Sequence, residues 1–500
     1  MLSQSEDEFC FLHVSKKFND GHVDWASGEM PKLWRYNLHY FDYVLDDARS
    51  TSGKLKLVSD WIAKNPIGKG DGWEPYTVSL RIVNWIKFFL QPQLQGNIRP
   101  EWIASLYQQA AWLENNIEYH ILANHYLKNG KALFFAGLFF SGDDAERWLK
   151  LGLKILAQEA QEQILADGGH YERSPMYHSI VVEDYLDVLN LILSSDVQLE
   201  SAVVALFKSK TAAALDFLHN MAMPDGEIPL FNDAAFGIAS PPAKLFDYAQ
   251  RVFAYVRPPY SAGLAVYAKQ ASGYYVMRNG DNVLVVDCGP IGPNYQPGHG
   301  HCDTLSYELV LNGHRVIVDS GVHDYENGPE RRYARSTKAH NTVAVDGIEQ
   351  SEIWGVFRVA RRAYPLGASL QQSGESRARF EGAHDGYRRL SGSVIHRRSI
   401  EFDATEGYTV CDVLQGNGVH AMESYIHLHP DFSARVKHDL IEVLTADEQV
   451  IAFIKVEGAS IRLEQGWYFP EFGVRFENAL IVLSCAGALP LQLSYRISKI

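Results

Sequence analysis

Hydrophobic and polar positions follow two different rhythms in the two halves of the chain. From Lys32, apolar and aromatic positions (Leu33, Tyr36, Leu38, Tyr40, Phe41) begin a helical segment that ends near Asp47. A turn-rich linker follows, with Asn65-Pro66 and Gly68-Lys69-Gly70-Asp71-Gly72. Helical periodicity then recurs over 78–90, 102–117, 124–140, 143–165, 181–193, 202–221 and 242–256, with no strand pattern among them. Helices in successive hairpins predict an all-helical domain over 1–262, as a curved toroid or as a bundle. Near Gly263 the texture changes to alternating runs, among them 393–397, 450–456 and 480–484. Asn279-Gly280, Asn312-Gly313 and Asp346-Gly347 are two-residue hairpin signals. This half, 263–500, reads as an antiparallel β-sandwich.

Composition narrows the class. A chain of 500 residues is too long for one core, which agrees with the two textures. With 46% hydrophobic and 21% charged residues it is globular, and its net charge of −14 does not advertise nucleic-acid or membrane-surface binding. A polyanionic ligand needs a local basic groove working against that field. The 26 Tyr, 24 Phe and 10 Trp suit sugar-stacking clefts and large cores alike. Five cysteines (Cys10, Cys288, Cys302, Cys411, Cys485) with no CxxC pair give neither a disulfide framework nor a thiolate zinc site. The opening residues are acidic and lack the basic and apolar regions of a signal peptide, so the chain as written reads as cytoplasmic. It would be periplasmic or secreted if an export signal had been removed. No run approaches the length of a membrane span.

Candidate chemistry concentrates between Asn294 and Asp346. His299 and His301 sit one residue apart in a Gly-rich turn, followed by Asp303 and an alternating strand. Asp319 ends the return strand and His340 opens the next. Two imidazoles and a carboxylate, His301, Asp319 and His340, near the ends of adjacent strands suit Zn²⁺; otherwise they are hydrogen-bonding groups of the sheet. In the helical half, Asn124 beside His120 and His125 opens a helix, where Asn is also a favoured cap. Asp167 to His178, with His170, Tyr171, Glu172, Arg173 and Tyr177, is denser in proton-moving groups than a turn requires. Trp73 and Arg81 offer a stacking ring and a guanidinium for an anionic ligand, or simply a packed aromatic turn. Asp225, Glu227 and Asp233 supply carboxylates that, flanking a sugar, would mean glycoside hydrolysis; turns and caps are the favoured reading.

Six stretches together resemble the heparinase II/III group of polysaccharide lyases, which includes relatives of some alginate lyases. They are Leu33 to Phe41, Asn124-His125-Tyr126, Asp167 to His178, Gly298 to Asp303, Asp319-Ser320-Gly321 and Ala339 to Thr342. The resemblance implies an incomplete (α/α) toroid followed by an antiparallel β-sandwich, an α+β multidomain chain. It also implies β-elimination across the C4–O4 bond of a uronic acid. In that chemistry Asn124 neutralises the substrate carboxylate, Tyr177 serves as acid and, for one epimer, base, and His299 is the second base. Arg173 or Arg335 would favour the Tyr177 phenolate. Trp73, Arg81, His125, His170, Glu172, Arg173 and Arg335 are the expected substrate contacts. His301, Asp319 and His340 match the family's metal positions, for one divalent ion, Zn²⁺ by preference, in a structural role. The partner is an anionic polysaccharide, glycosaminoglycan-like or an exopolysaccharide of the same cell. Two other readings remain: a hydrolase using Glu172 with Asp225 or Asp233, and a non-catalytic polysaccharide-binding or assembly protein.

Overall fold

The computed structural model describes residues 7–18 and 22–499; the first six residues of the acidic opening lie outside them. The chain divides into two compact units, Met1–Gln163 with Asp184–Ser209, and Ile164–Glu183 with Lys210–Ile500.

The first unit opens with a two-stranded ribbon, β1 (Glu8–Phe11) and β2 (Val14–Lys17). Six helices follow: α1 (Lys32–Tyr40), α2 (Thr51–Lys64), α3 (Pro75–Phe89), α4 (Pro100–Glu114), α5 (Ala123–Phe139) and α6 (Asp143–Gln163). Helix α2 lies in sequence that the hydrophobic rhythm leaves unassigned. Ser50 caps it by accepting from Gly53 N at 3.1 Å, and Leu57, Val58 and Trp61 bury one face. The core is unusually aromatic, with Trp61 near Trp85 (5.6 Å) and Trp73 (5.8 Å). Helices α5 and α6 approach until side chains cannot fit between them. A Cβ at Gly137 would lie 2.5 Å from Leu149 N, and one at Gly152 2.4 Å from Phe134 N.

Helices α7 (Pro175–Ser194) and α8 (Ser201–Met221) contribute residues to both units; α9 (Pro242–Phe253) and α10 (Pro329–Ala334) belong to the second. The second unit is otherwise antiparallel sheet. A five-stranded meander runs β3 (Ala265–Lys269), β4 (Tyr274–Asn279), β5 (Asn282–Asp287), β6 (Tyr307–Leu311) and β7 (His314–Ile317). Short β8 (Val343–Val345) and the ribbon of β9 (Ile353–Trp354) and β10 (Arg358–Val359) follow. The remaining strands are β11 (Pro365–Ser373), β12 (Arg377–His384), β13 (Ile395–Asp403), β14 (Gly407–Gln415), β15 (Val419–His427), β16 (Ser433–Lys437), β17 (Leu440–Leu444), β18 (Val450–Glu457), β19 (Ser460–Tyr468), β20 (Phe476–Ala488) and β21 (Leu491–Lys499). They form an eight-stranded sheet, β11-β12-β13-β14-β21-β18-β17-β16, and a four-stranded one, β19-β20-β15-β8. Leu309, Phe380, Val410, Ile426 and Ile481 bring all three sheets to one apolar core.

Helices first and antiparallel sheets second is the fold class the two rhythms predict. The Asn312-Gly313 turn joins β6 to β7 with φ of 50° and 82°, the left-handed pair a tight hairpin needs.

Candidate active site

The segment after α6 makes a sharp hairpin, with Leu165 N bonded to Gly169 O at 2.9 Å. Only glycine fits at 168, where a Cβ would meet Ala213 O at 2.0 Å. The chain then enters α7 at Pro175, earlier than its periodicity suggests, so Tyr177 stands in the first turn of a helix rather than in a loop. Ser174 Oγ donates to Asp233 O at 2.5 Å and accepts from Tyr177 N at 3.3 Å, fixing that helix start to the 230–233 segment.

The His299–His301 turn is shaped by Gly300, whose Cβ would lie 2.2 Å from Ile291 O. Backbone bonds lock it to the same segment: Asp233 N donates to His299 O (3.1 Å) and His301 N to Asn232 Oδ1 (3.0 Å). Asn232 itself is left-handed, with φ 57°.

Asp233 is the hub. Its Oδ2 lies 2.8 Å from His299 Nδ1 and its Oδ1 2.8 Å from His301 Nε2. Arg331, from α10, grips both oxygens, with Nη2 2.9 Å from Oδ2 and Nη1 on Oδ1. Burial opposes ionisation of Asp233, but the Arg331 charge and the two histidine bonds outweigh it and hold the carboxyl well below the usual range. The Asp233 carboxylate holds the ring of His299 through Nδ1 and so sets the direction of Nε2. That nitrogen points toward Glu172, 3.3 Å away, and the ring retains 14% exposure. Tyr177 stacks on His299 at 4.0 Å, and its hydroxyl lies 3.3 Å from the Tyr325 hydroxyl. Burial lowers the Arg331 pKa, Asp233 more than restores it, and Tyr325 and Tyr177 raise it further.

His301, Asp319 and His340 also come together. The two rings lie 5.3 Å apart, and Asp319 Oδ2 sits 2.8 Å from His340 Nδ1. Burial pushes His301 down to about 3, so it is neutral, with Nε2 turned to Asp233. His301 Nδ1 and His340 Nε2 are both buried without a hydrogen-bond partner. Orphaned nitrogens on adjacent rings fit a soft divalent ion, and Asp319 is placed to orient His340 rather than to ligate alone. No group of three or more His, Cys, Asp or Glu side chains arranged for a metal occurs among the described residues. Cys302, beside them, is a buried thiol that burial raises far above its ordinary value.

Several expected contacts are structural. Trp73 is buried, donating to Asn65 O at 3.2 Å. Arg81 is buried too, 3.9 Å over the Trp61 ring and bonded to Gln109 Oε1 at 2.8 Å. Both serve the aromatic core rather than a ligand. Arg173 spends its guanidinium on the carbonyls of Ser272, Tyr171 and Ala271, and Arg335 on those of Gly300, Gly355, Val356 and Arg358. Neither is available to Tyr177 or to a substrate. His170 is buried, its pKa driven well down by burial. In the first unit, His125 lies 2.9 Å from Glu118 Oε1 and remains partly exposed. Asn124 is not a cap: α5 starts one residue earlier, at Ala123, and its N-cap is Leu122. Leu122 (φ 62°, ψ −150°) and Ala123 (φ 55°) form a strained entry to that helix.

The hydrolase pairs do not survive. Asp233 is neutralised by Arg331, and Asp225 pairs with Arg315 at 2.5 Å, so neither carboxylate is an uncommitted partner for Glu172. The Asp233–Arg331 pairing is the part of the candidate site the sequence conceals; Asn232-Asp233 looks like turn chemistry, and its partner arginine is 98 positions away.

Residues 10–255 match the family model for the heparinase II/III N-terminus, and 265–494 that for the heparinase II/III-like C-terminal region. A heparin-sulfate lyase of Bacteroides stercoris is 23% identical, with 96% of this chain and 77% of that protein aligned. One from Pedobacter heparinus is 27% identical, over 58% of this chain and 47% of its own length, so the match spans about half of that relative. A solved structure of heparinase III shares the fold with a TM-score of 0.78 at 17% identity, covering 97% of this chain and 80% of that one.

Proposed function

The chain belongs to the heparinase II/III family of polysaccharide lyases, and on that premise we propose that it cleaves a uronic-acid-containing polysaccharide by β-elimination. The observation that carries this reading is the stacked Tyr177–His299 pair, with His299 pinned through Nδ1 by Asp233. His299 Nε2 takes the C5 proton; the C5–H electrons form the C4–C5 double bond, the C4–O4 bond breaks, and Tyr177 protonates the leaving oxygen. For the opposite epimer Tyr177, as phenolate, takes the C5 proton, the C4–O4 bond breaks as before, and the resulting phenol returns that proton to the leaving oxygen. Arg331 supplies the positive field such a phenolate needs. Asn124 neutralises the uronate carboxylate so that charge can develop on it; the strained residues before it are the kind of backbone found where a side chain must be held in one place. Glu172 and His125 complete the proposed substrate contacts.

A structural divalent metal, zinc by preference, is part of the proposal. His301 Nδ1 and His340 Nε2 would hold it, with Asp319 fixing His340. The substrate is a glycosaminoglycan-like polymer or an exopolysaccharide of the producing cell.

The test is an absorbance screen against heparan sulfate, hyaluronan, alginate and the source organism's exopolysaccharide. A rise in the band of the new C4–C5 double bond, abolished by Tyr177→Phe, supports the reading. Binding without turnover across the panel would replace it with a non-catalytic role.

A further inference from the structure

Beside the histidine turn stands a ribbon that the elimination chemistry leaves unused. In β9 and β10, Trp354 and Arg358 are registered partners, so their side chains leave the same face. Trp354 is 61% exposed. Arg358 is exposed as well, and whereas Arg361 pairs with Glu352, Arg358 has no ion-pair partner among the described residues. The connecting loop, Gly355 to Phe357, lies on the site itself. The Phe357 ring meets His299 edge-on at 6.1 Å and Tyr325 at 5.2 Å, and a Cβ at Gly298 would sit 3.6 Å from Phe357 Cβ.

Two residue pairs are too few to hold a ribbon by themselves. Two buried guanidinia support it from beneath. Arg331 reaches Val356 O through Nε (3.1 Å) and Nη2 (3.0 Å). Arg335 Nη1 reaches Gly355 O (3.1 Å) and Val356 O (2.9 Å), and its Nη2 reaches Arg358 O at 3.3 Å. Arg331 is the residue that also grips Asp233, so the ribbon and His299 hang from one side chain. A rigid, exposed indole beside an unpaired guanidinium, in a chain of net charge −14, is a local reversal of the surface field. An indole face stacks on the C–H face of a pyranose, and a guanidinium takes a carboxylate or sulfate in two parallel bonds.

We propose that the β9–β10 ribbon is a sugar-binding subsite, with Trp354 stacking on a pyranose next to the residue undergoing elimination and Arg358 pairing with its anionic substituent. The proposal rests on the lyase reading for the identity of its ligand, and it is tested separately. Trp354→Ala and Arg358→Gln are compared with wild type by steady-state kinetics on each polymer that wild type cleaves, with melting curves to verify the fold. Each variant is expected to raise KM roughly five- to ten-fold, the worth of one aromatic or charged contact, with kcat changing less. The Arg358→Gln effect shrinks as salt rises, and Trp354→Tyr recovers part of the loss. Arg496→Gln, an exposed arginine of β21 paired with Glu406, leaves KM unchanged. Wild-type KM in Trp354→Ala overturns the subsite and leaves the lyase reading standing. If wild type cleaves nothing, electrophoresis through gels containing each polymer decides. Retardation of wild type but not of Trp354→Ala keeps the subsite while the lyase reading falls; equal mobility overturns the subsite.

Discussion

The second unit builds the same ionic device twice. Asp412 is gripped by Arg398 (Nε–Oδ1 2.7 Å, Nη2–Oδ2 2.8 Å) and lies 2.8 Å from His396 Nε2, as Asp233 is held by Arg331 and His299. The Asp412 device is closed. Ser424 Oγ donates to Asp412 at 2.9 Å, His396 Nδ1 meets His384 Nε2 at 3.1 Å, and His384 Nδ1 ends the line by accepting from Gly386 N at 3.1 Å. All of it is buried in the sandwich. The Asp233 device differs at one end, where His299, with Nε2 3.3 Å from buried Glu172, keeps 14% exposure under the Tyr177 ring. The same Asp–Arg–His grouping is enclosed in one place and, on the proposed function, orients a base in the other. What separates them is whether the last imidazole has an exit.

Removing the aspartates should have the greatest effect. Asp412→Ala and Asp233→Ala each leave a buried arginine without its counter-charge, and each is expected to cost about 3–5 kcal/mol in denaturant unfolding. Turnover per folded molecule survives in Asp412→Ala and drops to background in Asp233→Ala. Equal activity losses in the two would erase the distinction. Tyr177→Phe separates the roles from the other side. Turnover is expected to fall about 10²- to 10⁴-fold, while stability shifts by roughly 0.5 kcal/mol or less.

A smaller effect comes from acid. Burial works against the Asp412 carboxylate, but Arg398 and the bonds from His396 and Arg398 outweigh it, and the folded-state pKa lies below the unfolded value. Its stabilisation is thus present above an unfolded pKa of about 3.9 and is lost as pH falls below it. Asp412→Asn should flatten the acid limb of a stability–pH curve; an unchanged limb would show that the closed device contributes nothing there. The smallest expected change is in metal content. His301→Ala or His340→Ala should lose about one bound divalent ion per chain, read by elemental analysis, with turnover by the remaining folded protein largely kept.

The two rhythms and the order of the halves are legible because period 3.6 and period 2 are directly encoded in side-chain polarity. Helix α2 is not, since a lysine, Lys54, stands on its buried face beside Leu57, Val58 and Trp61 and Gly53 precedes it. Tyr177 and His299 stand out because polar groups crowd their segments. The aspartate that organises them does not, since Asn232-Asp233 has the composition of a turn and its partners arrive from far along the chain. Trp73 and Arg81 mislead for a related reason: a guanidinium beside an indole describes an anion site and a buried cation–π contact equally well, and only packing tells them apart.

The wide sequence spacing of the site has a consequence for how the molecule is made. Tyr177 and Tyr325 are 148 residues apart, and a ribosome adding about 5–20 residues per second takes on the order of ten seconds to travel between them. Through that interval the early helices can already pack while the site has no second wall. On the proposed function, no nascent chain can cut a polysaccharide until the sheet-forming half has been translated and has folded.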